Sequence, residues 1–272
     1  MSTVRRRLDA ELVRRKLVAS RAEAQMAIES GLVSVDGAPG LKSATLVHAG
    51  QTLSIAAPPR RYVSRGGDKL HAALEHFSVD PSGRRCLDAG VSAGGFTDCL
   101  LQHGATHVVA VDVGYGQVHE RIRTDERVTL RERFNVRDLA PDVVGPIPPD
   151  LLVADLSFIS VASVLATMLH VLSPSDRGCD AIVLVKPQFE GRRQDVGKGG
   201  IVRDAGVWSR VLTDVATAAD DAGWSARDVV ASPIRGQKGN VEFLMHLRPS
   251  APDAPMRSQL MRRITRVVAE QS

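Results

Sequence analysis

The chain reads as an α/β protein built on a mostly parallel, doubly wound sheet, with a small α+β unit ahead of it. Two observations lead there. Beyond about Leu70, six short apolar runs ("CLDAG", "HVVAVDVG", "LLVADLSF", "AIVLVKPQF", "VVASPI", "VEFLMHL") alternate with helical patterns, and such alternation implies βα units around a parallel sheet. Before them, a helix, helix, strand, strand pattern fills roughly 60 residues, enough for a compact unit of its own. The segment "APPRRYVSRGG" interrupts periodicity with two prolines, a basic pair and two glycines, so the expected units are 1–59 and 68–272, with 60–67 as linker.

In the first unit, Leu8, Leu12 and Val13 recur at helical spacing. Ser20 with Glu23 three residues later forms a capping-box signature, Ala24, Ala27 and Ile28 follow as an apolar stripe, and Gly31 ends the second helix. "LVSVDG" alternates and stops at Asp36-Gly37, a hairpin signal, with "QTLSI" as a further strand. At the far end, Leu260, Ile264 and Val267 predict a closing amphipathic helix.

Charge is unevenly placed. Residues 1–60 hold nine Lys/Arg against five Asp/Glu, while 61–272 hold 26 of each sign, so the whole net charge of +4 lies in the N-terminal quarter. A localised basic excess suits a phosphate backbone, and Arg5, Arg6, Arg14, Lys16 and Arg21 are its candidate RNA contacts. Aromatic residues are only 4% of the chain, which favours recognition of RNA shape over base stacking. Cys86, Cys99 and Cys179 show no metal-ligand spacing and read as reduced thiols, and no metal is expected. The N-terminus lacks a secretory pattern and no run approaches ~20 apolar residues, so a cytoplasmic protein without a membrane span is expected.

The loop "LDAGVSAGGF" places Asp88 at a strand end, then Gly90, Gly94 and Gly95, then Phe96 at a helix start. Its G-x-x-x-G-G spacing departs from the dinucleotide fingerprint. The next strand ends at Asp112, 22 residues after Gly90, where a carboxylate can accept from ribose hydroxyls. A nucleoside without phosphates fits, and S-adenosylmethionine is the expected cofactor: Asp88 near its amino-acid portion, Asp112 on its ribose, and Ser92, Val113 and Asn135 as further contacts along with the glycines and Phe96.

Asp155 and Lys186 end two further strands, Glu242 starts the last one, and Lys69 precedes the first. An added edge strand running antiparallel brings Glu242 to the same crevice. A lysine held by two carboxylates is a proton-handling unit, with a structural ion pair as the simpler alternative.

At this point the chain resembles the TlyA-type ribosomal RNA 2'-O-methyltransferases, also called the haemolysin A family. "RLDAELVRRKLVASRAEAQMAIESGLVSVDG" looks like an S4 RNA-binding domain, and "SRGGDKL", "LDAGVSAGGFTDCLL", "VDVGYGQ", "ADLSFIS", "LVKPQFE" and "GNVEF" stand in the family's order. The resemblance implies a Rossmann-like class I methyltransferase of FtsJ type behind an S4 domain. Its K-D-K-E tetrad maps onto Lys69, Asp155, Lys186 and Glu242. It further implies cytidine 2'-O-methylation in 16S and 23S ribosomal RNA within ribosomal subunits, and a link to capreomycin and viomycin susceptibility. Val91 and Ala93 replace Ala and Thr of the family's usual loop, and residues 191–200 depart from its usual glycine-lysine run. The alternatives are a non-catalytic ribosome-assembly factor and, behind it, a membrane-active haemolysin.

Overall fold

A computed structural model describes residues 5–18, 20–39, 42–56, 61–176, 178–251 and 257–271. The chain divides into two compact units, residues 1–60 and 61–272.

The first unit runs β1 (Arg5–Arg7), α1 (Leu8–Arg14), α2 (Arg21–Glu29), β2 (Val33–Val35), β3 (Ala38–Pro39), β4 (Leu46–His48) and β5 (Leu53–Ile55). The Arg5–Arg7 run is a strand paired antiparallel with β4 rather than part of a helix. Ser20 caps α2 by accepting from the Glu23 amide at 3.2 Å, and Gly31 follows with φ +69°. Asp36 and Gly37, at φ +50° and +84°, make the two-residue turn joining β2 to β3, as a primed hairpin turn requires. The core is Leu8, Leu12, Ala24, Ile28, Val33, Val47 and Leu53.

Two acids are buried in this basic segment. Asp9 accepts from Arg7 and Arg21, both at 2.9 Å, and Glu11 accepts from Arg14 at 2.6 Å and Arg15 at 2.8 Å. The arginines hold both carboxyls below the usual range, with Arg7 the main cause at Asp9 and Arg14 at Glu11, which falls to about 2. Arg14 and Arg21 therefore serve first as partners of buried charge, while Arg5, Arg6 and Lys16 are exposed.

The second unit runs α3 (Gly66–Phe77), β6 (Arg85–Ala89), α4 (Gly95–Gln102), β7 (His107–Val111), α5 (Glu120–Arg123), β8 (Val128–Arg131), α6 (Pro141–Val144), β9 (Leu151–Ala154), α7 (Leu165–His170), β10 (Asp180–Val185), α8 (Pro187–Glu190), α9 (Ala205–Asp221), β11 (Trp224–Ala231), β12 (Phe243–Pro249) and α10 (Arg257–Ala269). Its seven strands lie in the order β11-β12-β10-β9-β6-β7-β8. β10, β9, β6, β7 and β8 pair in parallel. β12 is antiparallel to both neighbours, and it lies inside the sheet with β11 at the edge. The antiparallel strand is thus an interior one, correcting its expected edge position.

The central strands are buried on both faces, which explains their unbroken apolar runs. Leu87, Leu152 and Val183 face one cluster with α7, α9 and α10. Cys86, Val153 and Ile182 face the other, with α3 and α4. Leu260, Ile264 and Val267 of α10 are buried as their spacing predicted. At the amino ends of the parallel strands, Arg84, 3% exposed, donates to Asp150 at 3.0 Å and Asp180 at 2.7 Å. The opposite edge is left for ligands.

The expected linker spans 60–67; Pro58, Pro59 and Arg60 lie outside the described residues. Its remainder packs into the second unit. Tyr62 is 2% exposed in the core beside α3 and α4, and the Val63 amide donates to Asp98 at 2.8 Å. The cysteines are free and buried, and burial pushes the Cys99 and Cys179 thiols up to about 12.

Candidate active site

The carboxyl ends of β6, β7, β9 and β10 release Gly90, Asp112, Asp155 and Lys186 at one edge of the sheet. Because β12 runs the other way, its beginning also emerges there. The register pairs Val185 with Phe243, which sets Lys186 and Glu242 side by side. Lys69, on the first turn of α3, reaches the same place and closes on Glu242 at 2.5 Å. Lys186 pairs with Asp155 at 2.6 Å. Each lysine has its own carboxylate, so the arrangement is two pairs and not one lysine between two acids. Lys69, Lys186 and Glu242 are 9%, 8% and 3% exposed, and such burial of charge is tolerable only with partners.

All four side chains line a cleft of about 620 Å³, together with Ser64, Gly90, Val91, Ser92, Ala93, Gly95, Phe96 and the loop around Lys238. A second cleft of about 430 Å³ opens beside it, lined by Asp112, Val113, Phe134, Asn135, Val136 and Ile159. Gly90, Ser92, Asp155, Ser157 and Phe158 form walls of both.

Glycine has a geometric reason at two of these positions. A Cβ at Gly90, which sits at φ +91°, would meet the Asp155 carbonyl oxygen at 2.6 Å. One at Gly95 would meet Ser64 Oγ at 2.1 Å, because the starts of α3 and α4 cross there. Asp112 accepts from the Ser92 amide at 2.7 Å and the Gly114 amide at 2.6 Å, leaving each oxygen a further lone pair. Asn135 accepts from the Arg137 amide at 3.1 Å. Val113 is 74% exposed at the second cleft.

Two expected cofactor contacts are placed elsewhere. Asp88 is fully buried, accepts from Thr97 Oγ1 at 2.6 Å and lines neither cleft. Its side chain alternates away from the strand end toward α4, and burial raises its carboxyl to about 7. A Cβ at Gly94, which sits at φ +96°, would meet the Ile122 side chain at 2.9 Å, and Gly94 also lines neither. The substituted loop positions both stay in use: Val91 is 3% exposed in the core, and Ala93 lines the larger cleft. Residues Arg193–Asp195 form a short 3-10 turn, and Val196 and Gly200 reach the cleft.

Sequence reasoning missed Ser157, Phe158, Phe189 and Asn240. Phe158 is 92% exposed at the cleft with φ +66°, and its ring lies 5.4 Å from that of Phe189. Overall aromatic content hid this pair. Asn240 is 3% exposed and bridges two loops, accepting from the Val202 amide and donating to the Gly200 carbonyl, both at 2.9 Å. Glu190 holds the loop after Phe158 by accepting from Ser160 Oγ and the Val161 amide, both at 2.6 Å. The motifs "ADLSFIS", "LVKPQFE" and "GNVEF" are the sequence signal that these residues belong to a site.

Residues 62–249 match the FtsJ-like methyltransferase model. The chain belongs to the FtsJ-like methyltransferase family. Residues 6–53 ahead of this FtsJ-like region match the S4 domain. Over the whole length, the chain is 46% identical to the 16S/23S rRNA (cytidine-2'-O)-methyltransferase TlyA of Mycobacterium tuberculosis, covering 98% of both proteins. It is 37% identical to Hemolysin A of Brachyspira hyodysenteriae, over 84% of this chain and 93% of that one. A solved putative hemolysin from Streptococcus thermophilus superposes with TM-score 0.73 at 36% identity, covering 99% of this chain and 96% of the other. The FtsJ-like fold agrees with the α/β sheet and N-terminal S4 unit expected from sequence. Among the described residues, no helix is long and apolar enough to cross a membrane.

Proposed function

We propose that this chain transfers a methyl group from S-adenosylmethionine to the ribose 2'-hydroxyl of cytidines in 16S and 23S ribosomal RNA, acting on ribosomal subunits in the cytoplasm. The observation that carries the reading is the pair of lysine-carboxylate contacts in the larger cleft, directly against the wall it shares with the smaller one. The full-length likeness to TlyA supports the choice of acceptor.

The smaller cleft suits the nucleoside part of the cofactor. Asp112 keeps lone pairs for ribose hydroxyls, Asn135 supplies an amide, and Val113, Phe134 and Val136 supply apolar walls. Gly90, Ser92, Gly95 and Phe96 border the part that faces the acceptor. Asp88 and Gly94 shape the loop from behind. S-adenosylmethionine supplies an electrophilic methyl group on a sulfonium.

The protein's task is to place a hydroxyl in line with that methyl and to remove its proton, and positioning accounts for much of the acceleration. Lys186 accepts or steers the proton. Asp155 holds Lys186, and Glu242 holds Lys69 across the cleft. Phe158 offers an exposed ring at the mouth for an unstacked base. Arg5, Arg6 and Lys16 meet RNA phosphates from the S4 unit, joined by the exposed edges of Arg14 and Arg21, whose side chains are 51% and 58% exposed.

The test is to incubate the protein with labelled S-adenosylmethionine and purified 30S subunits, 50S subunits or naked ribosomal RNA, then map ribose methylation. We expect 2'-O-methylcytidine with the wild type and none with Lys186→Ala, at unchanged cofactor affinity. Failure of transfer to every acceptor favours the assembly-factor reading.

A further inference from the structure

Lys69 and Lys186 are held differently. Lys69 Nζ donates to Glu242, whereas Lys186 Nζ meets both Asp155, at 2.6 Å, and the hydroxyl of Ser157, at 3.0 Å. An ammonium has three N–H groups in a tetrahedral arrangement. Ser157 accepts from one of them, while the Asp155 carboxylate lies beside the same nitrogen as its counter-charge without an aligned hydrogen bond, so the hydroxyl is the group that orients Nζ.

Ser157 is suited to this by its backbone. β9 delivers Asp155, the chain buries Leu156, and Ser157 and Phe158 are then exposed at the cleft. The left-handed φ of Phe158, +66°, is rare for a bulky residue and turns the chain where Ser157 must project toward Lys186. Glu190, following Lys186 on α8, pins Ser160 and Val161 of the same loop. The turn bearing Ser157 and the helix beginning beyond Lys186 are thus tied together. Ser157 also lines both clefts, and Lys186 is its one hydrogen-bond partner among the described residues. Its own O–H remains available to a group bound in the space the two clefts share.

We propose that Ser157 is the positioning residue of the proton-accepting lysine, orienting Lys186 so that the lone pair of its neutral amine faces the acceptor hydroxyl and takes its proton. The inference rests on the methyltransferase reading of the same cleft. The groups facing Lys186 are Asp155 and Ser157 from the end of β9, the Phe189 ring of α8 5.7 Å from Nζ, and the Lys69–Glu242 pair of α3 and β12. Ser157 Oγ accepts from Lys186 Nζ and holds it in place. Its removal leaves Nζ with the ion pair to Asp155 alone and misdirects the lysine.

The experiment compares Ser157→Ala and Ser157→Thr with the wild-type full chain, using labelled S-adenosylmethionine and whichever ribosomal subunit accepts methyl from the wild type. For Ser157→Ala we expect kcat to fall about 10- to 100-fold, as for a reacting group displaced by an ångström. Cofactor affinity and melting temperature stay near wild type. Ser157→Thr, which keeps the hydroxyl, restores the rate. A Ser157→Ala enzyme with wild-type kcat overturns the proposal, as does a loss that Ser157→Thr leaves unrepaired. Lys186→Ala separates the two levels. If it still transfers methyl, the methyltransferase assignment of the lysine fails; if it is inactive while Ser157→Ala matches wild type, only the role of Ser157 fails.

Discussion

Lys69 and Glu242, 173 residues apart in the chain, meet at 2.5 Å in a buried contact. Two structural facts create it: α3 lies across the sheet edge, and the antiparallel course of β12 brings Glu242, the residue just ahead of it, to that edge. Glu242→Gln leaves Lys69 without its counter-charge in a place where it is hardly hydrated, a costly state. We expect methyl transfer to fall by about 100-fold, the scale of one positioned proton-handling group, with cofactor affinity within about twofold of wild type by calorimetry. Transfer at the wild-type rate removes the pair from the machinery.

Asp112 predicts the opposite division. Hydrogen bonds to a charged group are worth about 1.5–3 kcal/mol, so Asp112→Ala weakens S-adenosylmethionine binding about 10- to 100-fold. Its loss also frees the Ser92 and Gly114 amides. A titration superimposable on wild type places the nucleoside elsewhere.

Asp88 governs stability through pH. Burial lifts its carboxyl from the ordinary 3.8 to about 7, so between those values the folded protein holds a proton that the unfolded chain has released. Stability from this group is complete below about pH 4 and is lost as pH rises toward 7. Asp88→Asn lacks that loss: its melting temperature relative to wild type rises from pH 5 to pH 8. Parallel melting curves over that range contradict the assignment.

The S4 unit behaves in the reverse sense. Asp9 and Glu11 are held below their usual range by arginines, Glu11 to about 2, so their contribution is present above about pH 4.5 and disappears as pH falls toward 2. Hydrogen exchange of α1 and α2 should accelerate over that interval, and Glu11→Gln should flatten the response. For RNA, replacing Arg5 and Arg6 with Gln should reduce the slope of log affinity against log salt by about 1.5–2, the contribution of two phosphate contacts. An unchanged slope moves the contacts off β1.

Arg84 offers a control far from the chemistry. It is 3% exposed and serves Asp150 and Asp180 together at the other sheet edge. Arg84→Met leaves two buried carboxylates short of a partner and should cost about 3–5 kcal/mol in urea unfolding.

Much of this was legible in the residues themselves. Continuous apolar runs named the buried strands, Ser20 and Asp36-Gly37 named a cap and a turn, and the charged residues at strand ends named the four side chains that line one cleft. These signals are local, because periodicity and turn chemistry act over a few residues. Asp88 shows the limit: its place beside a glycine loop suggested a ligand contact, yet strand alternation sends its side chain to Thr97. The basic N-terminus shows another, since net charge cannot tell an arginine free for phosphate from Arg21, already paired with Asp9.

The sequence alone therefore determined the α/β order of elements, the glycine loop and which charges end which strands. Only the tertiary structure decided that β12 lies inside the sheet and that the four charges form two separate pairs. It also decided that Ser157 and Phe158 face the cleft. Those outcomes depend on strand order, register and one left-handed turn, and long-range packing selects them where short-range pattern does not.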